Sequence, residues 1–192
     1  MFNYFIASPS MPLFFVHFLT FKNALRSAVI SARRRIFISA YVINANLKKH
    51  QDPVTQILFL LRDAQARGLD VKIILDNPPI NRPNFHCNKM LLNYFKRWQI
   101  PHACPPSSFT AHAKIVIVDS SFCFIGSHNL ARSSLNNPLD CTVEIRNHAM
   151  VDLLADSFLS CFQDGRMDRF FPPFDQSQLP KFLWMEPLHG TR

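Results

Sequence analysis

Apolar side chains recur along this chain with two periods, one suited to buried strands and one to amphipathic helices. After Lys114 the residues at 115–118 are all β-branched, and Ser120-Ser121 separates them from a second apolar run at 122–125. That pattern predicts a buried strand over 114–118, a turn, and a short return strand. Upstream, 13–19 reads as a first core strand. Residues 21–34 have helical spacing, with Leu25, Ala28, Val29 and Ala32 on one side and Arg33, Arg34 and Arg35 at the end, where cations suit the helix dipole. A strand follows at 36–42. Asp52-Pro53 is a cap followed by a first-turn proline, so a helix is expected from there to Gly68, with a strand at 69–75.

The stretch 77–84 holds three prolines and reads as a loop. Over 86–98, Met90, Leu91, Tyr94 and Phe95 fall at helical offsets, and Lys89, Lys96 and Arg97 give that helix a basic face. Trp98 is expected to pack at its end and not to stack on a base. A short strand at 100–103 and a loop at 105–109 lead into the hairpin. Beyond it come a polar loop at 130–139, an alternating strand at 140–146 and an amphipathic helix at 149–162.

The β-α-β-α-β order ahead of the hairpin predicts an α/β fold, a mostly parallel mixed sheet flanked by helices on both faces. A chain of 192 residues, 48% hydrophobic, supports one domain, placed at 1–164. Residues 165–192 are rich in proline and phenylalanine and read as an arm that packs extended or meets a partner or membrane. The first twenty residues carry no charge. Their prolines and short apolar run favour a strand, hence a cytoplasmic protein; as an anchor or signal they would make it membrane-associated or exported.

Charge narrows the partner. Lys and Arg number 21 against 13 Asp and Glu, a net charge of +8 and a pI near 9.6, which favours nucleic acid or an anionic membrane surface. The five cysteines form no C-x-x-C pair and lack the paired spacing of zinc sites. Cys123, Cys141 and Cys161 fall at element interiors, as free thiols in a reducing compartment would.

The candidate chemistry sits at the ends of the hairpin. His112 and Lys114 are two apart, so a strand projects both to one side, where imidazole and ammonium suit a phosphate. The return strand carries Gly126-Ser127-His128-Asn129 back beside them, bringing hydroxyl and amide donors and a glycine that permits close backbone approach. Asp119, an odd offset from His112, belongs on the other side, in an orienting or turn-closing role.

His112-x-Lys114, four residues, Asp119, six residues, then Gly126-Ser127-x-Asn129 resembles the HKD motif of the phospholipase D superfamily at every position. The resemblance covers about 13–162. It implies His112, Lys114, Asp119, Ser127, Asn129 and Glu144 as catalytic residues, with Lys114, Gly126, Ser127 and Asn129 holding phosphate. It gives Glu144 the task of fixing the His112 tautomer and His128 no catalytic part. The superfamily pairs two motifs across one site, and this chain has one copy, so the resemblance implies a homodimer like the short bacterial endonucleases and mitochondrial phospholipase-D-like proteins.

One histidine would attack phosphorus and the other would protonate the leaving oxygen, with no metal or cofactor. Basic charge and small size favour nucleic acid as substrate, with Lys89, Lys96, Arg97 and the arginines at 33–35 as a wider basic surface. A phospholipid, as for phospholipase D or cardiolipin synthase, is the alternative, and an inert binding protein a third reading.

Overall fold

The computed structural model describes residues 14–106 and 109–164; the arm proposed for 165–192 and the start at 1–13 lie outside them. The elements are β1 (Phe14–His17), α1 (Phe21–Ser31), β2 (Arg35–Ala40), β3 (Ile43–Asn44), α2 (Pro53–Ala66), β4 (Asp70–Leu75), α3 (Phe85–Arg97), β5 (His102–Ala103), β6 (Ile115–Val118), β7 (Phe122–Gly126), β8 (Leu130–Ala131), α4 (Arg132–Leu135), β9 (Thr142–Ile145) and α5 (His148–Asp164).

Seven strands form one sheet in the order β1-β9-β7-β6-β2-β4-β5, and β3 pairs with β8 separately. The expected α/β class and mixed sheet are present, with a different internal balance. Within the seven-stranded sheet only β2–β4 and β4–β5 are parallel neighbours; β1–β9, β9–β7, β7–β6 and β6–β2 are antiparallel. Following the pairings, β1, β7, β2, β4 and β5 run one way, interleaved with the reversed β6 and β9. The departure from a βαβ reading begins at β1. It lies on the far edge from β5, paired with β9, so α1 spans the sheet where a neighbouring crossover was expected.

Helices cover both faces. The even positions of β6, Val116 and Val118, join Ile36, Ile38, Val71, Ile73 and Phe124 under α1, α2 and α3. The odd positions, Ile115 and Ile117, join Phe37, Ile74 and Cys123 under Val151, Ala155 and Phe158 of α5. This two-sided burial is why β6 is apolar without alternation. Each large side chain fully buried there contributes about 1.5–3 kcal/mol. Phe37 and Phe158 stack at 5.0 Å across the second face.

Local chemistry explains most boundaries. The Asp52 carboxylate accepts from the Thr55 amide at 2.9 Å, starting α2, whose stripe Val54, Ile57, Leu58, Leu61 and Ala64 is buried. Gly68, at φ +88°, follows its end. Helix α1 stops at Ser31, short of the expected 34. Ala32 is already extended, and the amides of Arg33, Arg34 and Arg35 turn to a carboxylate described below, so the arginine run sits outside the helix.

The segment read as a polar loop at 130–139 contains β8 and α4, because Leu130, Ala131 and Leu135 are buried. Trp98 packs on Phe59, Tyr94 and Phe95 with ring centroids 6.1, 5.5 and 6.5 Å away. Cys123 and Cys161 are buried and form no disulfide, and burial pushes the Cys123 thiol up to about 12; Cys141, expected inside, is exposed. Among the described residues, no helix is long and apolar enough to cross a membrane.

Candidate active site

The hairpin brings its two ends together as its pattern requires. The Gly126 amide donates to the Lys114 carbonyl at 3.2 Å, and Gly126 pairs with Thr142 of β9 on its other side. A Cβ on Gly126 would lie 2.3 Å from the Cys141 carbonyl oxygen and 2.5 Å from Thr142 Cα. Only glycine permits this approach of β7 to β9. The approach places Ser127 on the segment entering β9: its amide donates to the Cys141 carbonyl at 2.8 Å, and the Cys141 amide donates back to Ser127 Oγ at 3.0 Å.

Lys114 and His112 stand together as expected, just before β6 begins. Lys114 Nζ donates to the His112 carbonyl at 2.8 Å and lies 3.2 and 3.1 Å from the two ring nitrogens. An ammonium only donates, so a ring nitrogen accepting from it carries no proton. Tyr41 completes the group: its ring lies 4.8 Å from that of His112 and 5.3 Å from Lys114 Nζ, a cation–π contact. Burial lowers the Lys114 pKa, and the charge of Asp140 opposes that. Beside His112 opens a cleft of about 270 Å³ lined by Tyr41, Asp76, Arg82, Phe109 and Thr110.

Asp140 is the acid that the sequence reading missed. One of its oxygens accepts from Ser127 Oγ at 2.8 Å and the other from Ser134 Oγ at 2.6 Å, while Ser134 Oγ accepts the Asn129 amide at 2.9 Å. A single carboxylate thus ties Ser127 and Asn129 together and faces Lys114 electrostatically. Burial alone would raise the Asp140 pKa, but hydrogen bonds from Ser134, Ser127 and Asn137 hold it below the usual carboxylate range. Asn129 Oδ1 is buried without a hydrogen-bond partner among the described residues. The signal was available: Asp140 and Glu144 are the only acids between Gly126 and Arg146, and Asp140 lies nearer the end of β9 that meets Gly126.

Glu144 does not contact His112. Its oxygens take His17 Nε2 at 2.6 Å and Arg146 Nε. The reason is register. Glu144 lies opposite Phe124, two residues deeper than the Gly126–Thr142 pair, or about 7 Å from the site end of the strand. Asp119 stands at the turn, which the Ser121 amide bridges to the Val118 carbonyl at 3.2 Å, and its carboxylate clasps the α1–β2 corner. At φ +52° its carboxylate accepts from the amides of Arg33, Arg34 and Arg35 at 2.9, 2.8 and 3.0 Å. Seven residues of near-extended chain put it about 20 Å from His112. The arginines at 33–35 share that distant corner, where Arg35 pairs with Asp152, so they fall away from the surface expected to flank the site.

His128 is 3% exposed, its ring tilted against that of Phe21 with centroids 4.8 Å apart, and its Nδ1 lies 2.8 Å from Thr142 Oγ1. Burial lowers its pKa. It packs beneath the site. A second support was also unread. The Asp76 carboxylate accepts the Ala111 amide at 2.9 Å and Asn84 Nδ2 at 3.1 Å, and Asn88 Nδ2 donates to the Tyr41 carbonyl at 2.9 Å. This buried network anchors the segments carrying His112 and Tyr41. Asn84 and Asn88, four apart at the start of α3, were its trace in the sequence.

A mixed sheet carrying imidazole, ammonium, hydroxyl and amide at one end of a central hairpin defines a phosphate-handling α/β domain. The family model described as the phospholipase D-like domain of cardiolipin synthase matches residues 25–162, and the chain belongs to the phospholipase D superfamily. It is 28% identical over 130 residues to a phospholipase D of Rickettsia bellii, covering 68% of this chain and 58% of that protein. To a cardiolipin synthase of Halalkalibacterium halodurans it is 27% identical over 153 residues, 78% of this chain and 28% of that one. The chain therefore spans about half or less of the length of these relatives. Among solved structures it is similar to Nuc, a phospholipase D family member from Salmonella typhimurium, with a TM-score of 0.61, 28% identity and coverage of 80% and 93%.

Proposed function

We propose that the chain is a metal-independent phosphodiesterase whose site is completed by a second copy, with nucleic acid as its substrate. The observation that carries this reading is the convergence of His112, Lys114, Ser127 and Asn129 at one end of the hairpin, with Asp140 binding the last two together. A neutral His112 attacks phosphorus, forming a P–N bond as the P–O bond to the leaving group breaks. The protonated His112 of the second copy gives its proton to that oxygen. That second imidazole then takes a proton from water, the water oxygen attacks phosphorus, and the P–N bond breaks to free the first histidine. Lys114 and Asn129 stabilise the non-bridging oxygens as negative charge shifts onto them, and Asp140 positions Ser127 beside them.

Nucleic acid is favoured by the net charge of +8 and by the resemblance of a single-motif chain to the short bacterial endonucleases. The 28% and 27% identities to a phospholipase D and a cardiolipin synthase support a phospholipid as the second reading. The test is cleavage of single- and double-stranded DNA, RNA and phosphatidylcholine by purified protein, with and without EDTA. Cleavage of a nucleic acid that persists in EDTA and disappears in His112→Ala is expected. Release of headgroup from phosphatidylcholine with every nucleic acid left intact would replace the first reading by the second, and loss in EDTA restored by added metal would overturn the mechanism.

A further inference from the structure

A second cleft, of about 860 Å³, lies between the start of α1, the segment entering α2, and α4. It shares no lining residue with the cleft beside His112 or with the small cavity at Lys114. Lys22, Arg26, Lys49 and Arg132 line it together with His50 and Asn136. None of these four cations is in an ion pair among the described residues, whereas Arg35, Arg62, Lys72 and Arg146 are. The one acid in its wall, Asp52, is buried and committed to capping α2. Four uncompensated positive charges in a recess focus potential on whatever enters it.

We propose that this cleft holds the phosphodiester backbone of a nucleic-acid strand at a distance from the scissile phosphate, an inference that rests on the nucleic-acid reading of the site. The volume is within the range of about 300–1,000 Å³ usual for ligand clefts, and the cationic lining offers phosphate contacts without base-reading geometry. The recess also argues against a bilayer, since a flat anionic surface meets protruding cations and a flexible chain enters a hollow. Continuity with the site is covalent: Arg132 is three residues beyond Asn129, and Lys22 follows Phe21, whose ring packs against His128. A strand seated here leaves the cleft along the segment that carries Asn129.

The experiment uses the full chain carrying His112→Ala, so that bound substrate survives, and a fluorescent single-stranded oligonucleotide across a salt series. Adding Lys22→Gln, Arg26→Gln, Lys49→Gln and Arg132→Gln weakens binding on the order of tenfold or more at low salt, and flattens the plot of log affinity against log salt by about 0.7 per lost phosphate contact. Removing Arg62 and Arg67, towards the other end of α2, leaves both unchanged. Exchange of the four for the opposite basic residue, with an unaltered thermal melt, retains binding. Equal losses from both charge-removing sets would reduce the effect to net charge and overturn the proposal, as would no loss from either, or a loss confined to anionic vesicles. Cleavage is read separately with His112 intact. Binding that depends on the cleft without cleavage would sink the nuclease reading and leave the cleft; cleavage with cleft-independent binding would do the reverse.

Discussion

His17 Nε2 lies 2.6 Å from Glu144 Oε2, and both side chains are at most 7% exposed, so the edge strand β1 is fastened to β9 by a buried histidine–carboxylate hydrogen bond. Burial would raise the Glu144 pKa, but hydrogen bonds from His17 and Arg146 hold it below the usual glutamate range. A carboxylate depressed on folding contributes stability that is complete above its unfolded pKa and is lost as pH falls through the folded one. Glu144→Ala should cost about 2–3 kcal/mol by leaving buried His17 Nε2 without its acceptor. Urea denaturation at neutral and acid pH reads both effects: wild type loses stability in acid, and the variant starts lower and loses less. A fully stable Glu144→Ala with abolished catalysis would instead return Glu144 to the service of His112.

Asp140→Asn separates positioning from folding. It replaces one of the two oxygens that order Ser127 and Ser134 with an amide donor, and it removes the negative charge that raises the Lys114 pKa. Turnover should fall by about 10²-fold with an unchanged melt. The pH profile carries the distinctive signature. Without that charge Lys114 loses its proton at lower pH, so the alkaline limb of activity moves towards neutrality. An alkaline limb that stays in place would show that Asp140 does not act on Lys114.

A site shared by two copies predicts failed complementation. When His112→Ala chains are mixed with Lys114→Ala chains, the composite site of every mixed dimer carries both lesions, and activity stays at the level of either variant alone. Substantial recovery would mean that each chain owns a complete site, and light scattering showing an active monomer would do the same.

Sequence pattern revealed the hairpin, the positions of His112, Lys114 and Ser127 and the glycine between β7 and β9, because each is set by strand parity and local sterics. Sheet order was not legible: β1 is as apolar at the far edge as it would be beside β2, and apolarity does not name a neighbour. Glu144 and Asp140 show the same limit at the scale of one side chain. An alternating strand gives the face of Glu144 but not its depth, and four residues separate this structural acid, inside β9, from Asp140, just ahead of β9, which meets Ser127. The Asp76–Asn84–Asn88 network was hidden because a buried polar group becomes visible only once its partners are folded around it.

Asp119 gathers three amides from residues 84, 85 and 86 positions earlier in the chain. Closing a loop of that length costs about 4 kcal/mol of chain entropy. The hairpin is thus locked to the α1–β2 corner by a contact between distant segments, which is expected to form late in folding. Asp119→Ala should speed unfolding while leaving the refolding rate nearly unchanged, as expected of a residue whose contacts are absent from the transition state. Stopped-flow chevrons would show it, and a slowed refolding limb would move the clasp into the nucleus. The third letter of the motif then governs how long the site persists, while the first two carry the chemistry of the proposed mechanism.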